Sequence, residues 1–313
     1  MMKISKRRLR QLIKEEFDNA LELLREQEEK EAKADALVDI NDGPDAVLAA
    51  AQKLTSNPEA LKAGQTDSAG PADETFQIVQ DSVPARSLEP TQSQIGSGQS
   101  LLDQAGDKYG NLDRAIAGGM LGSASGNFPI LVYKNKVLDG HHRWSQFITT
   151  NPDANVAVAR LEAPGVNDAD GALGLAHFIN LALYGNSPTK AFKGTNVYSM
   201  SKEDIKQMAL ENMASTTPPK LHAAGLIDEP TPEAAAEHFA ENLSQIPGPG
   251  SHPRTSMPQA ADAGDPSGLT QTPPEVASGA VNYLDPKPTD VKESSGGSSD
   301  VITERWQRLA GLS

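Results

Sequence analysis

The strongest structural signal in the sequence is Val137-Leu-Asp-Gly-His-His-Arg-Trp144. It predicts a short apolar strand that ends near Asp139, a turn at Gly140 and a helix that begins at once with His141. The first backbone N–H groups of a helix have no acceptor within the helix and lie at the positive end of its dipole. A strand that runs through a glycine into a helix therefore brings unpaired amides together at one point.

The side chains at this turn favour a binding site for an anion, above all a phosphate. Gly140 lets a phosphate approach the backbone closely, and Arg143 adds a permanently charged guanidinium that can form two parallel hydrogen bonds. Asp139 could hold a Mg²⁺ ion that bridges phosphate groups, or could simply cap the helix. A structural alternative stays open, in which Asp139 is the N-cap residue and the two histidines only fix the turn by hydrogen bonds.

The adjacent histidines also raise the question of a metal site. Neighbouring residues on a helix point about 100° apart, so His141 and His142 rarely reach one ion together. No third ligand follows at the usual spacing, and the sequence therefore disfavours zinc. The remaining histidines are scattered and are interpreted as structural or surface residues: His177, His222, His238 and His252.

Strands and helices alternate around the turn. The sequence predicts strands at 76–79, 129–133, 137–138 and 155–161, an extended segment at 87–94 interrupted by Pro90, and helices around 100–105, 112–117 and 140–150. This pattern predicts a small mixed α+β domain over 75–165, flanked by helical segments and disordered tethers. A helical extension is predicted over 166–245, with helices at 168–184, from the capping-box-like Ser201-Lys-Glu-Asp204 to about 213, and from Thr231-Pro232 to about 243.

The N-terminal segments predict helices of two kinds. Residues 1–35 predict one amphipathic helix whose basic residues precede its acidic ones, the reverse of what the helix dipole favours. This order favours a helix held by a partner protein, and the alternative is a helix that docks on its own core. The acidic half disfavours a membrane-surface helix. Residues 36–74 predict a short alanine-rich helix from Pro44 to Thr55 and a polar linker.

The C-terminal segments have a different composition. Residues 246–298 consist largely of Pro, Gly, Ser, Thr and Ala, which cannot form a core, and they predict a disordered tether. Residues 299–313 regain an apolar periodicity through Ile302, Trp306 and Leu309. A short amphipathic peptide on a long tether is typical of a docking motif. The alternative is a terminal helix that packs back on the core.

Composition excludes several classes of protein. Only 37% of the 313 residues are hydrophobic, which predicts a modest core beside segments that do not fold alone. The chain has no cysteine, which excludes disulfides, thiolate zinc sites, thiol catalysis and iron–sulfur ligation. A net charge of −14 disfavours general DNA binding because it repels phosphate backbones. No apolar run approaches the roughly 20 residues that span a bilayer, so no membrane partner is expected.

Residues 85–161 resemble the ParB/sulfiredoxin-like superfamily, whose members often carry the label of ParB-like nuclease domains. The resemblance rests on Leu88-Glu-Pro-Thr-Gln92, the strand Pro129–Tyr133 and Asp139-Gly-His-His-Arg-Trp144. In that superfamily the corresponding turn holds nucleotide phosphates. The resemblance therefore implies that Gly140, His142 and Arg143 are phosphate ligands, with His141 beside them.

The chain departs from each branch of the superfamily. Sulfiredoxins have a reactive cysteine at the position of His141, so their reaction is excluded here. The partition proteins that hydrolyse CTP have glutamate there, together with a basic helix-turn-helix domain that this sequence lacks. The branch with Asp-Gly-x-His-Arg, which includes free-serine kinases, has the motif most similar to residues 139–143. Glu89 is the only candidate for the catalytic glutamate of that branch. The resemblance thus implies Asp139, His141, His142 and Glu89 as catalytic candidates.

The two ends of the chain add a second resemblance. Residues 2–16 and 302–312 look like the beginnings and endings of many proteins of large marine tailed bacteriophages. The first hypothesis is a phage-encoded protein that binds ATP, ADP or CTP with Mg²⁺ at the turn, with phosphoryl transfer or nucleotide hydrolysis as its chemistry. The second is a virion or assembly protein that contacts phage structural proteins through its N-terminal helix and its Trp306 segment. A ParB-like nuclease ranks last. The expected location is the host cytoplasm, the virion, or both.

Overall fold

The computed structural model describes Leu21 and residues 40–54, 77–123, 126–163, 165–184 and 189–258. The predicted amphipathic helix at 1–35 lies outside the described residues apart from Leu21, which is helical and exposed. The predicted polar linker, the part of the tether from 259 to 298 and the C-terminal motif at 299–313 also lie outside them.

A mixed sheet of five strands forms the centre of the described fold. Its strands are β1 (Gln77–Pro84), β2 (Glu89–Pro90), β5 (Ile130–Tyr133), β6 (Lys136–Asp139) and β7 (Asn155–Glu162), and a separate antiparallel pair comprises β3 (Leu121–Ser123) and β4 (Gly126–Phe128). The order in the sheet is β1-β7-β5-β6-β2. The β1/β7 and β5/β6 pairs are antiparallel, whereas the β5/β7 and β2/β6 pairs are parallel. The predicted mixture of helices and strands is confirmed.

Eight helices surround this sheet in the described ranges. They are α1 (Pro44–Leu54), α2 (Ser97–Ala105), α3 (Asn111–Ala117), α4 (His141–Thr150), α5 (Ala169–Tyr184), α6 (Lys202–Glu211), α7 (Thr217–Ala223) and α8 (Pro232–Ser244). All the helices predicted between 44 and 243 are present, with ends shifted by a few residues. The capping box at the start of α6 is confirmed, since the Ser201 hydroxyl accepts from the Asp204 amide and the Asp204 carboxylate accepts from the Ser201 amide.

The central strand β5 is buried along its whole length because the sheet is covered on both faces. Ile130 and Val132 pack in the main core together with Trp144 of α4. The alternate residues point to the other face, where the Tyr133 hydroxyl donates to the backbone carbonyl of Val166 at 2.9 Å. The strand that precedes the quoted stretch is thus held from both sides, which fixes the position of the turn.

A buried polar network anchors the far end of α4. The Gln146 side-chain oxygen accepts from the amides of Gln104 and Asn111 at 2.9 and 3.1 Å. Asn111 in turn exchanges two hydrogen bonds with the backbone of Gly122, and Thr150 donates to Gln104. Buried polar groups stabilise a fold only when they are paired, and these are. The network therefore holds α4 against α2, α3 and β3.

Residues 247–258, which we call the strap, differ from their predicted state. Their composition assigns them to the tether, yet they lie along the edge of the sheet beyond β2. His252 forms a parallel bridge with Gln92, and the side chains of Ser256 and Met257 are buried. The sequence could not indicate this, because the strap is held by contacts with residues far away along the chain.

No helix in the described ranges is both long enough and apolar enough to cross a membrane.

Candidate functional site

The turn between β6 and α4 has the geometry that the sequence predicts. Gly140 is the N-cap residue of α4 and adopts a φ of +96°, a conformation that favours glycine. A Cβ atom on Gly140 would lie 2.7 Å from a terminal nitrogen of the Arg143 guanidinium. Any other residue would therefore strain the backbone and displace the arginine. We call Asp139–Arg143, together with Arg254, the turn site.

The first amides of α4 are unpaired. No described residue accepts a hydrogen bond from the backbone N–H of His141, His142 or Arg143. The next amide, that of Trp144, donates to the carbonyl of Gly140 at 2.8 Å and begins the regular pattern of the helix. These three donors lie at the positive end of a ten-residue helix, the arrangement that binds anions.

Arg143 lies across the turn. A terminal nitrogen of its guanidinium donates to the carbonyl of Pro129 at 3.2 Å and lies 3.5 Å from an Asp139 carboxylate oxygen. Its Nε atom is buried and has no hydrogen-bond partner. The side chain is 22% exposed, so one side of the charged group still meets solvent. Arg143 is thus oriented by the fold and keeps donor capacity for a ligand.

His141 points into the fold. Its side chain is buried, and its Nε2 atom accepts hydrogen bonds from the amides of Thr91 and Gln92, both at 3.2 Å. An Nε2 atom that accepts two amide hydrogens carries no proton, so the ring is neutral with its hydrogen on Nδ1. Burial first, and then the positive charge of Arg254, holds the pKa of His141 well below its usual range. These contacts make His141 a residue that fixes the segment 91–92 against the turn.

His142 is oriented differently, as expected for the next residue on a helix. Its Nδ1 atom is buried without a hydrogen-bond partner, and a Cβ atom added to Gly96 would lie 3.3 Å from its Cε1 atom. Burial lowers the pKa of His142 to about 4, with further lowering by the charges of Arg254 and Arg143, while Asp139 acts in the opposite direction. His142 is therefore neutral at pH 7.

Arg254 is the residue of this site that the sequence reasoning missed. It is supplied by the strap, where its Nη1 atom donates to the side-chain oxygen of Gln92 and its backbone amide donates to that of Gln94, both at 3.1 Å. Burial lowers its pKa, and the charge of Asp139 raises it. A single arginine in a segment rich in proline, glycine and serine carries no local signal of such a role.

Two guanidinium groups and one carboxylate lie at the turn site. Arg143 is 3.5 Å from Asp139, and the charge of Asp139 raises the pKa of Arg254. Both histidines are neutral at pH 7 because burial lowers their pKa values. The Arg143 guanidinium and the unpaired α4 amides make an anion the complementary ligand.

Glu89 is not brought to the turn site. On β2 it pairs with Lys136 at the start of β6, and its carboxylate accepts from Lys136 Nζ at 2.5 Å and from the Asn135 side chain at 3.1 Å. Asp139 lies three residues further along that strand, about 10 Å away at 3.3 Å per residue. The hydrogen bond from Lys136 lowers the pKa of Glu89, which is half exposed. Glu89 instead lines a separate cleft of about 570 Å³ that Lys136 and the first residues of the strap also border.

The donor set at Asp139 does not fit a resident divalent cation. The described residues contain no group of three histidine or acidic side chains arranged for a metal ion. Asp139 faces the guanidinium of Arg143 and also interacts electrostatically with Arg254, and both would repel a cation. Mg²⁺ at this site would depend on the phosphate groups of a ligand for most of its coordination.

The other histidines have hydrogen-bonding partners within the fold. The Nε2 atom of His177 bonds the carbonyl of Ser256, and the Nε2 atom of His238 bonds the carbonyl of Thr150. The Nδ1 atom of His222 bonds the carbonyl of Ile227. His252 pairs through Nε2 with the carboxylate of Asp170 at 2.8 Å. These contacts agree with the interpretation of the four as structural or surface residues.

Comparison of the chain with protein-family models finds no match, and comparisons with curated proteins and with solved structures find none either. The fold and the site define the class of protein: a mixed α and β protein whose strand–glycine–helix turn leaves three helix amides without an acceptor among the described residues. The ParB/sulfiredoxin-like resemblance stays a proposal that rests on the quoted motifs.

His142 predicts a loss of stability in acid. The unfolded chain binds a proton on this residue near pH 6.5, whereas the folded protein does so only near pH 4. Between these values the unfolded state holds more protons, so the free energy of unfolding falls as the pH is lowered, by about 3 kcal/mol over the window. Urea unfolding at several pH values measures this loss. The matched variant His142→Leu should lose less over the same window, and an identical loss would contradict the assignment.

Proposed function

We propose that this protein binds a phosphate-bearing ligand, expected to be a nucleotide, at the turn site. The observation that carries the proposal is the start of α4, where the backbone amides of His141, His142 and Arg143 have no acceptor among the described residues. The guanidinium of Arg143 lies beside them and adds a charged donor. An anion with several oxygen atoms is the ligand that such a set of donors complements.

The unpaired buried atoms support the same proposal. Arg143 Nε and His142 Nδ1 have no partner in the protein, although both are buried. An unsatisfied buried polar group costs about 1–3 kcal/mol, and native proteins contain few of them. Phosphate oxygens would accept hydrogen bonds from Arg143 Nε and from His142 in the tautomer that carries its hydrogen on Nδ1. A ligand that leaves these two atoms paired would thus stabilise the folded protein.

The chemistry that goes with this binding site is phosphate positioning. Arg143 and the helix amides would stabilise charge on a transferring phosphoryl group, and His142 would orient it. Glu89 lies too far along the sheet to act together with Arg143 and His142. Phosphoryl transfer or nucleotide hydrolysis is therefore the part of the proposal that a product assay has to establish.

We also propose an origin and a location for the protein. The resemblance of both ends to phage proteins supports a phage-encoded protein in the host cytoplasm or the virion. Contacts with phage structural or assembly proteins would use the predicted helix at 1–35 and the Trp306 segment, which lie outside the described residues apart from Leu21.

Replacement of Arg143 by alanine should weaken nucleotide binding about 10- to 100-fold. The variant loses a charged hydrogen-bond donor worth about 1.5–3 kcal/mol to the complex. Isothermal titration calorimetry of the full chain with ATP, ADP and CTP, each with and without Mg²⁺, measures the affinities. Chromatography of the same mixtures reports any hydrolysis.

Arg160→Ala is the matched control, because Arg160 pairs with Asp81 at the surface near the other edge of the sheet. It removes the same charge and should leave the affinity unchanged. The proposal would be contradicted if the wild-type protein bound none of the three nucleotides, or if the Arg143→Ala variant bound them as tightly as the wild type.

A further inference from the structure

The strap pairs with the chain segment that follows β2. The Gly250 amide donates to the carbonyl of Gln92 at 3.1 Å, and the His252 amide donates to the carbonyl of Thr91 at 3.0 Å. In the opposite direction, the Ser93 amide donates to the carbonyl of His252 at 2.7 Å. The docked strap therefore constrains the backbone of this segment through three hydrogen bonds.

Gly250 sets how closely the strap approaches the segment. A Cβ atom at this position would lie 2.1 Å from the carbonyl carbon and oxygen of Thr91. These are backbone atoms, which cannot rotate away as a flexible side chain can, so a larger residue at 250 displaces the strap. Gly248 differs, because a Cβ atom there would meet no atom within 4 Å. The two glycines thus offer a matched pair of substitutions, of which only one disturbs the docking of the strap.

Segment 91–92 connects the strap to the turn site. The amides of Thr91 and Gln92 donate to the Nε2 atom of His141, both at 3.2 Å, while their carbonyls accept from the strap. The Thr91 hydroxyl also donates to the carbonyl of Val137 on β6 at 2.6 Å. His141 is the first residue of α4, and its backbone amide has no acceptor among the described residues. The same residue therefore contacts the strap-bound segment through its ring and offers a donor to a ligand through its backbone.

From this arrangement we infer that docking of the strap and binding of a phosphate-bearing ligand at the turn site are coupled, so that each stabilises the other. The inference rests on the proposed function and adds a means of regulation to it. The ligand needs the α4 amides in their observed positions, and the strap needs segment 91–92 in the position that His141 holds. Such coupling is reciprocal. A displaced strap lowers the affinity for the ligand, and a bound ligand strengthens the docking of the strap.

The first test compares full-length Gly250→Ala and Gly248→Ala by calorimetry with ATP and with inorganic pyrophosphate. Gly250→Ala displaces the strap and should bind both probes at least about five-fold more weakly than the wild type. Gly248→Ala adds the same methyl group in open space and should bind them as the wild type does. Equal affinities of the two variants would overturn the inference. Thermal melting curves show whether Gly250→Ala keeps its fold.

The second test uses the wild type alone, so it decides the question even if Gly250→Ala does not fold. Hydrogen exchange followed by mass spectrometry reports on the amides of Gly250 and His252, which exchange when the strap opens. Saturating ATP should slow this exchange at least about five-fold, since the ligand favours the docked strap. The amides of β1, at the opposite edge of the sheet, are the internal control and should exchange equally fast with and without ATP.

The outcomes separate this inference from the proposed function. If ATP binds to the wild type without slowing exchange in the strap, the inference fails and the proposed function stands. Weaker binding by Gly250→Ala would then mean that Gly250 serves only the stability of the fold. A wild-type chain that binds neither ATP nor pyrophosphate would end both.

Discussion

Replacing Trp144 by alanine should lower the free energy of unfolding by about 3–5 kcal/mol. Trp144 is fully buried on α4, one residue beyond Arg143, and packs in the main core. Its Nε1–H donates to the backbone carbonyl of Ala85 at 3.0 Å. Alanine would leave a large cavity, and the Ala85 carbonyl would keep only its hydrogen bond from the Leu88 amide. Equilibrium unfolding in urea, followed by circular dichroism, measures the change.

Two matched variants sharpen this prediction. Trp144→Phe keeps most of the buried volume but removes one of the two donors to the Ala85 carbonyl, which retains the Leu88 amide, so it should lose about 0.5–1.5 kcal/mol. Val79→Ala changes an exposed residue of β1 and should stay within about 0.5 kcal/mol of the wild type. A Trp144→Ala variant as stable as Val79→Ala would mean that the α4 side chains do not form the core described above.

The elements next to the quoted stretch could be predicted because their signals are local. An apolar run of four residues marks β5, a glycine marks the passage from β6 to α4, and Ser201 with Asp204 marks the start of α6. Each of these signals lies within a few residues of the feature it predicts. The predicted α+β unit was therefore recognisable from the chain alone.

Helix α7 escaped prediction because it depends on distant partners. It begins with Thr217-Pro-Pro, a sequence typical of a loop. It is held because the Thr217 hydroxyl donates to the carbonyl of Ala105 and Lys220 pairs with Asp107 and Asp113. No local pattern encodes contacts made across about 100 residues. The short strands β3 and β4 escaped for a different reason: their pairing is local, but the segment is rich in glycine, serine and asparagine, which are not typical of strands.

The residues of the candidate site also differ in whether the local sequence predicts them. Gly140 and Arg143 were predictable because the turn and the helix start place them by local geometry. Arg254 was not, since its place depends on how the strap pairs with residues 91 and 92. The resemblance implied both histidines as catalytic candidates but only His142 as a phosphate ligand. The packing turns His141 into the fold and leaves His142 Nδ1 buried without a partner.

Replacing His141 by leucine should destabilise the protein by about 2–4 kcal/mol. The variant removes the Nε2 acceptor of the Thr91 and Gln92 amides, and an unpaired buried amide costs about 1–3 kcal/mol. It should also weaken nucleotide binding, because His141 is the first residue of α4 and its ring holds segment 91–92 against the turn. Urea unfolding gives the stability, and calorimetry with ATP at a temperature where the variant is folded gives the affinity.

His142→Leu is the control that distinguishes a histidine that stabilises the fold from a histidine that contacts the ligand. His142 Nδ1 has no partner to lose, so this variant should unfold at pH 7 within about 1 kcal/mol of the wild type. Its affinity for ATP should nevertheless fall, since the leucine cannot donate to a phosphate oxygen. His141 thus affects binding through the stability of segment 91–92, whereas His142 affects binding directly. Equal stability of the two variants at pH 7 would show that His141 does not hold this segment, and the separate roles assigned to the two residues would then fail.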